Sequence, residues 1–289
     1  MTQTILLLGG YGMLGTDMHE ILTSSEGTHE VLRLSSSDLD ITNSEALHEA
    51  FRKHRPEWVI NCAAYTAVDL AEDEPEKATA INGTALEGIG NAARETGAKV
   101  IHFSTDYVFD GKNATGYRED DVKNPLGAYG QSKSLGEDLL FETHPEGAYV
   151  IRTAWLYGHH GKNFVKTMLR LASERPEIRV VADQTGCPTW THHVAQAVLE
   201  NFIRSSPQPI AHSPSPGIFH LVNSLSCTWY DFAVEIMRQA GLSTKVVPIT
   251  TEQYPTKAAR PKSSILLNTK LPPLPAWQEG LRGYFSTTP

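Results

Sequence analysis

The sequence predicts an α/β chain in which a doubly wound parallel sheet precedes a smaller C-terminal α/β lobe. Three observations predict it. Short apolar runs recur along the first half of the chain, and they are continuous rather than alternating, as in strands covered on both faces. Longer amphipathic patterns lie between them, each opened by a turn or capping residue. The connections are short, and strand–helix–strand repetition with right-handed crossovers builds an open parallel sheet.

In order, Thr4–Leu8, Glu30–Leu34, Trp58–Asn61, Lys99–Ser104 and Ala148–Arg152 read as buried strands. Met13–Leu22, Ser44–Lys53, Glu76–Thr96 and Gly127–Thr143 read as the helices between them, with Thr42-Asn43 placed to cap the second. After Arg152 the pattern loosens. Asn163–Ser173, His192–Ser205 and Thr228–Ala240 look helical, and Ile178–Ala182, Ile218–Leu221 and Val246–Ile249 look like strands. Pro- and Ser-rich stretches interrupt them, and Ser205–Gly217 reads as a solvent loop. The expected division is a dinucleotide-binding domain over 1–152 and a substrate lobe over 153–289, partly interleaved with the first domain.

Composition narrows the function. The 289 residues are 40% hydrophobic and 20% charged, enough for a large core and too apolar for wholesale disorder. No apolar run approaches the roughly 20 residues of a membrane span, and the start lacks the basic segment of a signal peptide. Three distant cysteines, Cys62, Cys187 and Cys227, form neither a disulfide framework nor a zinc-ligand spacing, which fits a cytoplasmic protein. A net charge of −8 without a basic run disfavours a nucleic-acid partner. An anionic ligand must then be met locally, by helix N-termini and single arginines.

The first strand runs into Gly9-Gly10-Tyr11-Gly12-Met13-Leu14-Gly15, with glycine at 9, 12 and 15. The first glycine permits the turn, the second lets backbone approach a pyrophosphate, and the third lets helix pack on strand. A ligand-free tight turn would need the same glycines. Between an apolar strand and an amphipathic helix, however, the motif points to a Rossmann-type dinucleotide site. The second strand ends Arg33-Leu34-Ser35-Ser36-Ser37, with no carboxylate before Asp38. An NAD site usually places an acid there for the ribose 2′-hydroxyl, so Arg33 and the serines favour NADPH, with NADH left open. Asp38 or Asp40 serves either the adenine amino group or a cap of the next helix.

Tyr129 is followed by lysine four residues on, at Lys133, and is alone among the ten tyrosines in this. Positions i and i+4 share a helical face. Ketone reduction needs a proton for the developing alkoxide, and a phenol of pKa near 10 is a poor donor at neutral pH unless a cation favours its phenolate. Lys133 is expected to be that cation. Thr105, at the end of the fourth strand, is placed where open sheets bind ligands and can hydrogen-bond the carbonyl. The alternative is an ordinary surface helix pair.

These motifs resemble those of the extended short-chain dehydrogenase/reductases, and within them the family of dTDP-4-dehydrorhamnose reductases. The resemblance covers nearly the whole chain. It rests on Asn61-Cys62-Ala63-Ala64-Tyr65-Thr66-Ala67-Val68-Asp69, Ser104-Thr105-Asp106-Tyr107-Val108-Phe109-Asp110-Gly111, Arg152-Thr153-Ala154-Trp155-Leu156-Tyr157, Asp183-Gln184-Thr185-Gly186-Cys187-Pro188-Thr189, Ala259-Arg260-Pro261-Lys262-Ser263-Ser264 and Trp277-Gln278-Glu279-Gly280-Leu281. It implies NAD(P)H-dependent reduction of the C4 ketone of dTDP-4-dehydro-L-rhamnose to dTDP-L-rhamnose. It implies that Gly12, Met13 and Leu14 contact the pyrophosphate, Asp40 and Ile41 the adenine region, and Ala63, Ala64, Tyr65 and Thr66 the cofactor beyond the third strand. Tyr129 becomes the proton donor and Lys133 its partner. Ser104, Thr105 and Asp106 touch the sugar, Trp155 packs on it, and Gln184, Pro188 and Arg260 serve the nucleotide end.

Plainer roles compete for the softer members: a core aromatic for Trp155, a turn for Pro188, a surface charge for Arg260. Arg152 reads as a structural ion-pair partner. The adjacent histidines at 159–160 and 192–193 lack useful ligand spacing, so no metal site is expected. Some family members are described as dimers bridged by magnesium through C-terminal carboxylates. The tail after Trp277 holds only Glu279, which does not support that bridge, and monomer and homodimer both stay open. Rival readings are an epimerase or dehydratase on the same scaffold, and a non-catalytic subunit like that of methionine adenosyltransferase. A dehydratase usually carries Asp-Glu after the threonine, where this chain has Asp106-Tyr107.

Overall fold

A computed structural model describes residues 3–24, 29–204 and 214–287. The chain opens with β1 (Gln3–Leu8), α1 (Met13–Ser24), β2 (His29–Leu34), α2 (Ser44–His54) and β3 (Trp58–Asn61). The expected third helix is α3 (Pro75–Thr79) and α4 (Ala85–Thr96), joined by a π-turn at Ala80–Thr84. Next come β4 (Lys99–Thr105), α5 (Ala128–Thr143) and β5 (Ala148–Thr153). Beyond them lie β6 (Leu156–Tyr157), α6 (Phe164–Glu174), β7 (Glu177–Val181), β8 (Thr185–Gly186), β9 (Thr189–Trp190) and α7 (Thr191–Val198). The chain closes with β10 (Gly217–His220), β11 (Asn223–Ser224), β12 (Cys227–Thr228), α8 (Trp229–Gln239), β13 (Lys245–Ile249), β14 (Leu274–Ala276) and α9 (Trp277–Ser286).

The central sheet has six parallel strands in the order β10-β5-β4-β3-β1-β2. The chain steps outward from β1 to β2, then returns past β1 to β3. That reversal opens a crevice at the carboxyl ends of β1 and β3, where open sheets take ligands. Both faces are covered, which explains the unbroken apolar strands. Leu14, Met18 and Leu22 of α1, with Val194 and Val198 of α7, pack on Ile5, Leu7 and Ile60. Leu47, Phe51, Leu86, Ile89 and Leu140 cover Leu6, Leu8, Val59 and Val100 on the other face.

The sequence places β10 after the first domain, in the smaller lobe, but it pairs with β5 and adds the sixth strand of the central sheet. Residues 205–213, most of the expected solvent loop, lie outside the described residues. The helix α7 likewise packs on the central sheet, while much of the remaining C-terminal half forms its own core, in which Tyr157, Met168, Ile178, Phe232, Ile236, Trp277 and Leu281 meet. The final helix α9, not foreseen as an element, supplies two of these. Among the described residues no helix is long and apolar enough to cross a membrane.

Candidate active site

The glycine loop joins β1 to α1 and lies against the segment that follows β3. Gly9 takes φ +65°, and a Cβ there would sit 2.5 Å from the Ala63 nitrogen at the end of β3. A Cβ on Gly15 would come within 2.4 Å of the Gly9 carbonyl. Only glycine therefore lets loop, helix and third strand converge. Gly12 is exposed at the lip and Met13 half-buried, while Leu14 is buried in the core. The first turn of α1 holds no acid, so no carboxylate there opposes an anion at the helix N-terminus. These features fit a dinucleotide.

Arg33, at the end of β2, leans over this loop. Its Nε donates to the Gly10 carbonyl (2.9 Å), one terminal nitrogen donates to the Thr16 hydroxyl (2.7 Å), and the guanidinium stacks 4.1 Å from the Tyr11 ring. Neither acid beyond β2 caps the next helix. Asp38 accepts from the Ser35 backbone and hydroxyl, Asp40 accepts from the Thr42 backbone and hydroxyl, and Asn43 is the N-cap of α2. These bonds hold both carboxyls below their ordinary values. Ile41 is buried in the core, so its side chain supports the turn rather than facing the crevice.

Past β3, Ala63, Ala64 and Tyr65 are half-buried and Thr66 is exposed. Asn82 in the π-turn fixes this segment. Its amide accepts from the Tyr65 N–H (2.8 Å) and donates to the Tyr65 carbonyl (3.0 Å) and to the Ser132 hydroxyl (3.1 Å) on α5. The Tyr65 hydroxyl donates to Glu74 (3.0 Å).

Tyr129 and Lys133 stand on the first turns of α5. The helix start is held by Glu72, which accepts from the Ala128 N–H (2.9 Å), and by Gly130, where a Cβ would lie 2.2 Å from the Tyr107 carbonyl. Tyr129 meets Tyr107 edge-on at 5.6 Å. Burial raises the Tyr129 pKa, the Thr105 hydroxyl opposes that rise, and the Asp106 carboxylate adds to it. The Lys133 side-chain nitrogen lies against β4, donating to the Phe103 carbonyl (2.6 Å), with His102 Nε2 at 3.2 Å. Burial pulls its pKa down to about 8, while Glu137 and Cys62 push it up. Tyr129 and Lys133 thus share one face of α5, with the Lys133 nitrogen held at β4.

Thr105 donates to Asp106 (2.9 Å) and accepts from the Tyr107 N–H (3.2 Å). Asp106 is 2% exposed, and burial pushes its carboxyl up to about 6 against the hydroxyls of Ser264 and Thr105. Ser104, expected to touch a sugar, turns the other way. Its hydroxyl donates to Glu137 (2.5 Å), which also receives Arg152 through two bonds (2.9 and 2.7 Å). Arg152 and Glu137 are both buried, so the expected structural role of Arg152 is the one the structure shows.

Around the crevice, Trp155 takes φ +47° and stacks on Trp229 at 3.4 Å between ring centres. Trp229 carries no sequence signal of this role, because a lone aromatic at a helix start forms no motif. Arg260 pairs with Asp69 (2.8 Å), lies 5.9 Å over the Tyr107 ring and keeps one terminal nitrogen unpaired. It lines a cleft of about 680 Å³ together with Leu126, Thr185, Lys262 and Ser263. Gln184 does not line this cleft; its amide donates to Thr251 (3.0 Å). Pro188 is buried in the link between β8 and β9. His160 sits 3.4 Å from Glu20 and 3.7 Å from Asp17, whose carboxylate already accepts from Thr191.

Residues 3–288 match the family described as RmlD substrate binding domain. The chain is 40% identical to the spore coat polysaccharide biosynthesis protein SpsK of Bacillus subtilis strain 168, over 97% of this chain and 96% of that one. It is also 40% identical to the dTDP-4-dehydrorhamnose reductase of Escherichia coli K12, covering 96% and 95% of the two chains. A crystal structure of dTDP-4-dehydrorhamnose reductase from Bacillus anthracis in complex with NADP superposes with a TM-score of 0.92 at 37% identity, covering 100% of both chains.

Proposed function

The chain belongs to the RmlD substrate-binding-domain family, and from that premise we propose that it reduces the C4 ketone of dTDP-4-dehydro-L-rhamnose to dTDP-L-rhamnose with NADPH. The observation that carries the reading is the meeting of a glycine-loop crevice with Thr105 and Tyr129 at the carboxyl edge of one sheet. The NADP-bound relative and Arg33 over the glycine loop support NADPH over NADH. The proposal places residues 1–152 chiefly at the dinucleotide and 153–289 chiefly at the nucleotide sugar, in a cytoplasmic protein that works as a monomer or homodimer.

When bound, a nicotinamide cofactor supplies the hydride. Gly12 and the N-terminus of α1 hold its pyrophosphate, and Arg33 meets a 2′-phosphate. The ketone oxygen accepts from Tyr129 and from Thr105, whose hydroxyl turns from Asp106 to meet it. As the carbonyl carbon is reduced, the Tyr129 phenol gives its proton to the nascent alkoxide, and solvent restores it. Trp155, on its stacked support, packs against the sugar, and Arg260 with Lys262 neutralises the diphosphate.

Purified chain given NADPH and dTDP-4-dehydro-L-rhamnose is expected to consume both one-to-one and yield dTDP-L-rhamnose by NMR. Epimerised product without net NADPH consumption would replace this reading with an epimerase. NADPH binding with no ketosugar reduced would replace it with a non-catalytic subunit.

A further inference from the structure

Behind Lys133 lies a chain of buried polar groups that the reaction as described leaves without a role. The Ala63 N–H donates to Asn61 Oδ1 (3.0 Å), which fixes the orientation of the Asn61 amide. Its nitrogen therefore faces His102 Nδ1 (3.1 Å), and an amide nitrogen can only donate. His102 is fully buried, and a doubly protonated ring would set an Nδ1–H against the Asn61 amide donor, so the ring is neutral; burial and the neighbouring Lys133 also lower its pKa well below the ordinary value. A neutral ring that accepts at Nδ1 carries its proton on Nε2. That N–H points at Lys133 Nζ, 3.2 Å away.

An ammonium has three donors and no lone pair, so against Nε2–H it makes a donor–donor clash. A neutral amine accepts from Nε2–H and still donates to the Phe103 carbonyl, satisfying both contacts. We propose that His102 is a positioning residue that sets the charge of Lys133, its Nε2–H being satisfied only by the neutral amine. The groups facing the lysine from neighbouring elements are His102 on β4, Cys62 past β3 and Glu137 one turn along α5. Glu137 favours the cation, but it is already engaged by Arg152 and Ser104. The lysine becomes a cation, taking a proton from solvent, only when it leaves the ring. Acidification of Tyr129 therefore depends on that departure. The tautomer and the amine state follow from geometry alone; their consequence for catalysis rests on Tyr129 as proton donor.

The test is NMR of the full chain without cofactor, independent of turnover. Long-range 1H–15N spectra should show His102 protonated at Nε2 alone at neutral pH, its signals assigned by their loss in His102→Gln. Lys133, followed by its 13Cε shift and assigned by Lys133→Met, should titrate at or below about 8. In His102→Gln the amide oxygen can turn to the ammonium, so this midpoint should rise by about one pH unit or more, a tenfold gain in proton affinity. A proton on Nδ1, a doubly protonated ring, or a wild-type Lys133 titrating in the ordinary lysine range would overturn the proposal, and so would a midpoint unmoved in a folded His102→Gln. Should that variant not fold, the wild-type tautomer and midpoint decide alone.

Discussion

Replacing Glu137 by glutamine removes one charge and almost no volume, which isolates the electrostatic pin beneath the site. Glu137 is fully buried and holds Arg152, 1% exposed, through two short bonds, while also accepting from Ser104 and lying 3.4 Å from Lys123. In Glu137→Gln the amide oxygen keeps one acceptor, but the guanidinium stays buried without a counter-charge. Its other polar contact is the Glu119 carbonyl at 3.3 Å. Breaking a buried pair from one side costs about 3–5 kcal/mol, whereas replacing both partners by apolar residues is close to neutral. Glu137→Gln should therefore lose about 3–5 kcal/mol, and Glu137→Leu with Arg152→Leu should lose much less. Burial opposes ionisation of Glu137, but Arg152, Lys123 and Ser104 reverse it and hold the carboxyl below its ordinary 4.5. Its stabilisation is thus present above that value and lost as pH falls through the lower folded one, so wild type and variant should converge in acid. Urea titration followed by tryptophan fluorescence reads both. A loss under about 1 kcal/mol at neutral pH, as for an exposed pair, would refute the idea that this pin anchors α5.

Three further outcomes follow from the same geometry. Gly15→Ala puts a Cβ 2.4 Å from the Gly9 carbonyl, and should cost about 1–3 kcal/mol in denaturation and weaken NADPH in fluorescence titration; unchanged binding would remove the loop from the site. Arg33→Ala should weaken NADPH by about 10–100-fold, the equivalent of the 1.5–3 kcal/mol of a charged hydrogen bond, and leave NADH nearly untouched; equal losses would remove Arg33 from the 2′-phosphate. Asp106 has a folded pKa of about 6 against an ordinary 3.8, so it destabilises the fold increasingly as pH rises through that window. Asp106→Asn should then gain stability over wild type at neutral pH and lose the gain near pH 4, read from denaturation midpoints.

Much of this was legible because the physics is local. Continuous apolar runs mark strands buried on both faces, and glycine spacing marks the loop that must approach β3. The spacing of Tyr129 and Lys133 places two side chains on one helical face, and Glu137 extends that row by another turn. The less legible parts depend on partners distant in sequence. Ser104 sits in the same short block as Thr105 and Asp106, yet successive strand residues point to opposite faces, and Ser104 faces Glu137. Nothing local shows that the Lys133 side chain folds back to Phe103 and His102. The stacking of Trp229 on Trp155 joins positions 74 residues apart. The short strands and α9 carried too little periodicity to separate them from loops.

Ketone reduction by this chain turns on the Tyr129 phenol as the proton source at the crevice, and Tyr129→Phe tests this with dTDP-4-dehydro-L-rhamnose and NADPH. That variant keeps the ring and removes only the acidic hydroxyl. Turnover should fall by about 10²–10⁴-fold, the usual contribution of general acid catalysis, while NADPH affinity stays within about twofold. Turnover near the wild-type rate would contradict the account.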